Sequence, residues 1–421
     1  MISWDCFDTL IARKFIYPFS IFHEVANRIN DPSFVQKRIE AGSNTHTYEE
    51  IYKKLPYDPQ IELDIELEHA YPIKSNIESV NNKDIIITDM YLPDSFIQQL
   101  LQKCGLDKDI HLIRTFNGKQ TGQVWKNIDS RYIDFHIGDN QHSDYDMPQK
   151  YKIKTKLYSE SKMTQNESLV YEYDKKLASW MRYTRLQNPY CGLTINTNYN
   201  GSKSLLWNDQ TNFNLPILAL GVKELEKIKD IKLTFNFRDC IYLKPLYDKM
   251  TNGNSSIIQT SRIYLKNITD QLTIEQILSA FKQSIVVDLH GSGTSFKLFM
   301  EKNNISINDY TLINLISSSD HMSRTISPNI VSIFTDILET GLNFEKHNFA
   351  EMGTIIVDED GRPKIQPCEH DISVIRIQRE AAFCGINSID RFLPIKPNRD
   401  LGGLILSKLS TNHTSKSVSY L

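Results

Sequence analysis

Short apolar runs alternate with stretches of helical periodicity along this chain, and the alternation is set out twice. The apolar start Ile2-Ser-Trp4 runs straight into Asp5, with Asp8-Thr9-Leu10 close behind. That pattern predicts a buried strand over residues 2–10 and the loop after it. Residues 18–80 are mostly polar, but Phe19, Phe22, Val25 and Ile29 recur at helical spacing, as do Ile51 and Leu55, then Leu63 and Leu67. They predict a helical insertion. Asp84-Ile-Ile-Ile-Thr-Asp89 predicts a buried parallel strand with polar residues at its carboxyl end. Pro93 opens a helix over 94–104 that Gly105 stops. A strand over 110–115, a helix over 122–128 and a strand over 132–137 follow, the last leading to Gly138-Asp139-Asn140.

The second half repeats the pattern after an interruption. Residues 166–187 predict a helix, and 188–204, rich in Asn, Gly, Thr and Ser, predict a loop. Strands are expected over 233–237, ending in Arg238-Asp239, and over 256–260, ending in Ser261-Arg262. Helices are expected over 241–250 and 274–282. Ile285-Val-Val287 then leads to Asp288-Leu-His-Gly-Ser-Gly-Thr-Ser295, with a helix from about Phe296 and a strand over 310–316. Strands alternating with helices give an α/β fold with two doubly wound, mostly parallel sheets. The expected organisation is a first domain over 1–160 with its insertion at about 14–80, a linker over 161–205, a second domain over 206–395, and a peripheral tail over 396–421.

Composition narrows the class without naming a chemistry. The 421 residues are 40% hydrophobic and 24% charged, with a net charge of −3, so no global basic surface invites nucleic acid. Six scattered cysteines with no Cys-x-x-Cys pair argue against structural zinc or a disulfide framework. With no apolar run of transmembrane length and no signal region, the expected location is the cytoplasm, with peripheral attachment at the inner membrane left open.

Four polar features of the first half each follow an expected strand. They are Asp5 with Asp8-Thr9, then Thr88, then Lys119 in Gly-Lys-Gln-Thr-Gly122, then Asp139 with Asp144. Carboxylates at the carboxyl edge of an open sheet can hold a hard cation or attack phosphorus, a hydroxyl can donate to a phosphoryl oxygen, and a lysine can neutralise both. The ordered set resembles the haloacid dehalogenase superfamily. More narrowly it is similar to the branch of bacterial surface-polysaccharide clusters, through Asp5-Cys-Phe-Asp-Thr-Leu10 and Thr88-Asp-Met-Tyr-Leu-Pro93. The resemblance implies Asp5 as nucleophile, with Thr88 and Lys119 as partners. It also implies Mg²⁺ held by Asp5, the Phe7 backbone carbonyl, Asp139 and Asp144, and a cap formed by the insertion. Phe7 stands where the superfamily's phosphatases usually carry a second aspartate. Asp8, one residue on, either takes the acid/base role, or accepts loop N–H bonds while protonation comes from elsewhere, or marks a half that hydrolyses poorly. Asp89 and Asp94 read as turn and helix-capping residues.

Small residues at 291–295 before a helix let successive N–H groups converge on an anion. The stretch resembles the PRPP-binding motif of type I phosphoribosyltransferases: Asp288 matches its second acid and Ser292, Gly293 and Ser295 its phosphate loop, while Val287 replaces the first acid. That resemblance implies PRPP held by Asp288 and residues His290, Gly291, Ser292, Gly293, Thr294 and Ser295, with pyrophosphate near Arg238, Asp239 and Arg262. Asp320, His321 and Glu339 are further candidates for activating an acceptor hydroxyl. Together the halves resemble two-part ribofuranosyltransferases of polysaccharide assembly. The expected function is transfer of 5-phosphoribosyl to a glycan acceptor and then removal of its phosphate. The alternatives are a phosphatase with a glycan- or partner-binding module, or a silent phosphatase fold serving as scaffold.

Overall fold

The computed structural model describes residues 1–43, 47–191, 198–236, 240–306, 309–318, 329–336, 354–359, 363–366 and 372–413. The chain divides into two compact units, Met1–Thr164 with Leu186–Gly201, and Gln165–Arg185 with Ser202–Leu421.

The first unit carries β1 (Ile2–Trp4), β2 (Ile11–Arg13), β3 (Ala70–Pro72), β4 (Ile85–Thr88), β5 (His111–Arg114), β6 (Phe135–Gly138) and β7 (Thr155–Leu157). Five of them form a parallel sheet in the order β5-β4-β1-β6-β7. The apolar runs become its centre: Trp4, Ile86, Ile87 and Ile137 are fully buried. Crossovers run one way from β1 to β4 and the other way to β6, so the edge beyond β1 and β6 is the switch point where open α/β sheets bind ligands.

The helical insertion is real and has a physical closure that periodicity could not show. β2 and β3 pair antiparallel, Ile11 opposite Pro72 and Arg13 opposite Ala70, so its two ends leave the sheet as one ribbon. Its helices Ser20–Arg28, Phe34–Gly42, Tyr48–Tyr52 and Gln60–His69 enclose their own small core of Ile21, Phe22, Val25, Ala26, Phe34 and Ile65. Two buried bidentate ion pairs brace it, Arg38 to Glu62 at 2.7 and 2.9 Å and Arg13 to Glu66 at 2.7 and 2.9 Å. Tyr91, just beyond β4, donates its hydroxyl to Glu62 at 3.1 Å, tying the insertion to the loop after Thr88. Such pairs add little net stability over apolar packing, yet removing one partner costs about 3–5 kcal/mol, so they fix geometry.

The second unit carries β8 (Leu233–Asn236), β9 (Ser255–Ile258), β10 (Ile285–His290), β11 (Leu312–Ser318) and β12 (Ile330–Asp336), parallel in the order β12-β11-β10-β8-β9. A hairpin of β13 (Thr354–Val357) and β14 (Pro363–Gln366) stands apart from it. Here the switch point lies between β8 and β10. The helix Leu215–Leu225 is apolar on nearly every side and correspondingly buried.

Several expectations are corrected. The segment taken as a linker is shared between the units, and its helix is two helices, Gln165–Tyr173 and Lys175–Leu186. Asp174 between them starts the second by accepting from the N–H groups of Lys176 and Leu177 at 2.9 and 3.0 Å. The loop expected to run to 204 gives way to a helix, Asn198–Asp209. The tail is not peripheral: Arg399–His413 is a helix whose Leu401, Ile405 and Leu406 are buried. Gly402 allows close packing of this helix, since a Cβ there would lie 2.3 Å from the Phe334 ring. Among the described residues no helix is long and apolar enough to cross a membrane.

Candidate active site

The first sheet brings its four separated sequence features to one edge. Asp5 leaves β1 directly, its N–H bonded to the Ile137 carbonyl at 2.8 Å. The chain then turns tightly. The N–H groups of Leu10 and Ile11 return to the Cys6 carbonyl at 2.8 and 3.0 Å, and Asp8 sits in the left-handed region at φ 56°. Aspartate tolerates that conformation better than most residues. The Thr9 hydroxyl donates to Asp5 Oδ2 at 3.2 Å. Thr88 ends β4 on the adjacent strand, buried, with its hydroxyl accepting from Met90 N–H at 3.4 Å.

Lys119 comes from a short turn, Gly118–Thr121, that Asp89 holds in place. The Asp89 carboxylate accepts from the Thr115 hydroxyl and from the N–H groups of Lys119 at 3.2 Å and Gln120 at 3.4 Å. Asp89 therefore presents the lysine, a larger role than the turn residue expected. Asp94 is not a side-chain cap; Pro93 occupies the cap position and Asp94 pairs with Arg114. The Lys119 ammonium donates to Asp5 Oδ1 and to Asp144 Oδ1, the latter at 2.7 Å.

Asp144 reaches the edge from a wide helical turn, Gln141–Asp146, capped by Asn140, whose side chain accepts from His142 and Ser143 N–H. Its carboxylate also accepts from Asn140 N–H at 3.1 Å and lies 3.2 Å from His136 Nε2. A Cβ at Gly138 would stand 2.4 Å from Asp144 Cγ, so glycine there is what admits the carboxylate. Gly138→Ala is expected to displace Asp144 and weaken cation binding about tenfold, the scale seen when a group that orients metal ligands is lost. Isothermal titration with Mg²⁺ on both proteins checks it.

His136 was not singled out from the sequence. It is fully buried in β6, with Nδ1 2.9 Å from Ser3 Oγ and Nε2 on Asp144, and burial holds its pKa below the usual histidine value. A histidine inside an apolar strand two residues before Gly138-Asp139 was the available signal.

Oxygens of Asp5, Asp139 and Asp144 lie within 4.8 Å of one another. Burial pushes Asp5 up to about 8 against the pull of Lys119, and Asp144 and Asp139 add to the rise. Asp139 is raised to about 7, by burial first and by the nearby Asp8 carboxylate next. Burial also acts on the other two, but neighbours outweigh it. Asp5 and Asp144 hold the Lys119 ammonium above its ordinary value, and Lys119 and His136 hold Asp144 below the usual carboxylate range. One lysine thus faces an excess of carboxylates, and the all-oxygen donor set suits a hard divalent cation. The Phe7 carbonyl accepts no hydrogen bond among the described residues, while the Phe7 ring is buried with the Arg13 guanidinium 4.1 Å from its centroid. No acid/base group stands at Phe7. The carboxylates that raise Asp139 are those of Asp8 and Asp144.

In the second unit β10 continues to His290, so Asp288 is a strand residue and not the first residue of a loop. Register places Asn236, Asp288, Asn314 and Ser332 side by side across β8, β10, β11 and β12. Asn236 donates to Asp288 Oδ1 at 3.1 Å and accepts from the Thr260 hydroxyl at 3.1 Å. The helix after the loop begins at Thr294, with Gly293 at φ 72° before it. Ser292 Oγ accepts from Thr294 N–H at 3.3 Å and lies 2.6 Å from Thr294 Oγ1. Arg262 is exposed at the start of the helix Arg262–Asn267. Arg238, Asp239, Asp320, His321 and Glu339 lie outside the described residues. Compared with models of known protein families the chain matches none, and it matches no curated protein.

Proposed function

We propose that the first unit hydrolyses a phosphomonoester with Mg²⁺ and that the second supplies its substrate from PRPP. The observation that carries the reading is the buried group at one sheet edge: Asp5 and Asp144 bridged by Lys119, with Asp139 beside them. Asp5, Asp139, Asp144 and the Phe7 carbonyl would hold the cation, which when bound favours ionised carboxylates and offsets charge on a phosphoryl group. An Asp5 oxygen attacks phosphorus, and the P–O bond to the sugar breaks. The sugar oxygen takes a proton, a role assigned here to the Asp8 carboxyl. Water then cleaves the aspartyl-phosphate and releases phosphate. Thr88 and Lys119 donate to the phosphoryl oxygens.

In the second unit an acceptor hydroxyl of a surface-polysaccharide intermediate attacks the anomeric carbon of PRPP. The C–O bond to pyrophosphate breaks, the acceptor's hydroxyl proton passes to solvent, and the 5-phosphoribosyl product carries the phosphate that the first unit removes. Asp288 binds ribose hydroxyls and Ser292–Ser295 the 5-phosphate. Incubating the full chain with PRPP and a panel of glycan acceptors, with pyrophosphate and phosphate followed separately, tests both halves. Acceptor-dependent pyrophosphate release followed by phosphate release is expected; no pyrophosphate across a broad panel would remove the transferase half. One observation favours a second reading, a first unit that serves as scaffold. The buried, Arg13-stacked Phe7 replaces the usual second aspartate. Phosphate release from ribose 5-phosphate decides between them.

A further inference from the structure

The loop after β10 is held from beneath by side chains that neither motif contains. The Gly291 carbonyl accepts from Asn314 Nδ2 at 2.9 Å and from the Ser317 hydroxyl at 2.8 Å, both on the neighbouring strand β11. Ser317 is itself 2.6 Å from the Ser332 hydroxyl on β12, while Gly291 N–H bonds to the Ile316 carbonyl at 3.3 Å. Asn314 is fully buried and Ser317 nearly so. Because the Asn314 amide donates to a carbonyl, its orientation is settled: the nitrogen faces Gly291, and Oδ1 is left as a buried acceptor with no partner. Leaving a buried polar atom unmatched is costly, so the asparagine is kept for something more than packing.

A trans peptide points its C=O and its N–H in opposite directions. Pulling the Gly291 carbonyl towards β11 therefore turns the Ser292 N–H away from β11, just ahead of the helix Thr294–Lys302. Gly291 adopts φ 153° to do so, a conformation a residue with a Cβ rarely takes. Among the described residues the N–H groups of Ser292, Gly293 and Ser295 have no acceptor. Three such groups with the first turn of a nine-residue helix make an anion nest.

We propose that Asn314 and Ser317 are the positioning residues of this nest. By clamping the Gly291 carbonyl they aim the Ser292 N–H at a phosphomonoester dianion. The inference rests on the phosphate-loop reading above and adds to it the two side chains that set the loop's geometry.

The test uses the full chain selectively ¹⁵N-labelled at serine, with inorganic phosphate and then ribose 5-phosphate as probes. In the parent protein the Ser292 amide resonance is expected to shift on phosphate addition, and ribose 5-phosphate to bind more tightly than ribose. In N314A/S317A the shift should vanish and ribose 5-phosphate affinity fall about tenfold to a hundredfold, the scale of losing an aligned hydrogen bond to a charged group. Affinity for ribose itself should hold, a split that general loosening of the fold would not produce. Should the double variant unfold, S317A alone, which keeps the asparagine, should show a smaller loss of the same sign. Undiminished phosphate binding in a folded variant overturns the clamp and leaves the phosphate-loop reading standing. If the parent protein shows no phosphate-dependent shift, both fall together.

Discussion

Asp5→Asn is expected to abolish phosphate release, by at least about a thousandfold in kcat, while leaving the protein folded. The two halves of that expectation come from one environment. Asp5 follows β1 directly and accepts from Lys119, and under the proposed mechanism the amide nitrogen and oxygen of asparagine cannot replace its attacking carboxylate. Stability goes the other way. Two demands compete at Asp5: burial favours its neutral form, Lys119 its ionised form, and burial wins, pushing it up to about 8. At pH 7 the folded carboxyl therefore carries a proton much of the time, and a neutral amide of the same size is a close substitute. Lys119 keeps its partner Asp144 at 2.7 Å. Without metal the variant, which has no proton to lose on unfolding at this position, should melt above the parent at pH 7 and further above it at pH 9, and the two should converge towards pH 4. Asp5→Asn that still released phosphate at the parent rate would remove Asp5 from the mechanism. A variant that is both inactive and unfolded would show that the Asp5 side chain also holds the fold, and Asp5→Glu then separates charge from shape. Lys119→Met offers a contrast, since it leaves Asp5 and Asp144 buried together without their shared cation and should cost about 3–5 kcal/mol.

How much of this was legible in the sequence follows from range. Ile85–Thr88 and Ile285–Val287 announced their strands because a parallel strand covered on both faces is a continuous apolar run. Asp5, Thr88, Lys119, Asp139 and Asp144 could be gathered because each follows such a strand, and strand ends share an edge once the sheet is parallel. What stayed hidden depends on partners distant in sequence. β2 and β3 are three residues each and form a ribbon only by meeting across the insertion. Gly402-Gly403 looks like an end of order until Phe334 is seen against it. Asp89 reads as a turn residue until Lys119 N–H, thirty positions away, is found on its carboxylate. Asn314 and Ser317 belong to no motif, and only the register of β10 with β11 sets them under Gly291. Phe7 is the reverse case. The sequence marks it as a departure, and the structure shows what stands there, a buried ring under Arg13, whose pairing with Glu66 ties the loop after Asp5 to the insertion.

Metal binding should be strongly pH-dependent, and its sign follows from the carboxylates. In the metal-free protein Asp5 is raised to about 8 and Asp139 to about 7, both from an ordinary value of 3.8. Between about pH 4 and pH 8 the folded state thus holds protons that the unfolded chain has already lost. Where the native state binds more protons, stability falls as pH rises, so these two groups make the metal-free protein progressively less stable across that window. A divalent cation reverses the balance because it binds the ionised carboxylates and expels the protons. Its apparent affinity should climb about a hundredfold per pH unit below 7, where two protons leave, about tenfold between 7 and 8, and then level off. Added Mg²⁺ should accordingly raise the melting temperature little at pH 5 and most near pH 8. His136, held below its usual value by burial, adds stability as pH rises towards that value. Paired melts with and without Mg²⁺ follow the carboxylates that would bind it together with the histidine on Asp144. Asp139→Asn should flatten the slope to one proton as well as weaken the cation. A Mg²⁺ stabilisation of equal size at pH 5 and pH 8, or one that survives Asp139→Asn with its slope intact, would place the cation somewhere other than this edge.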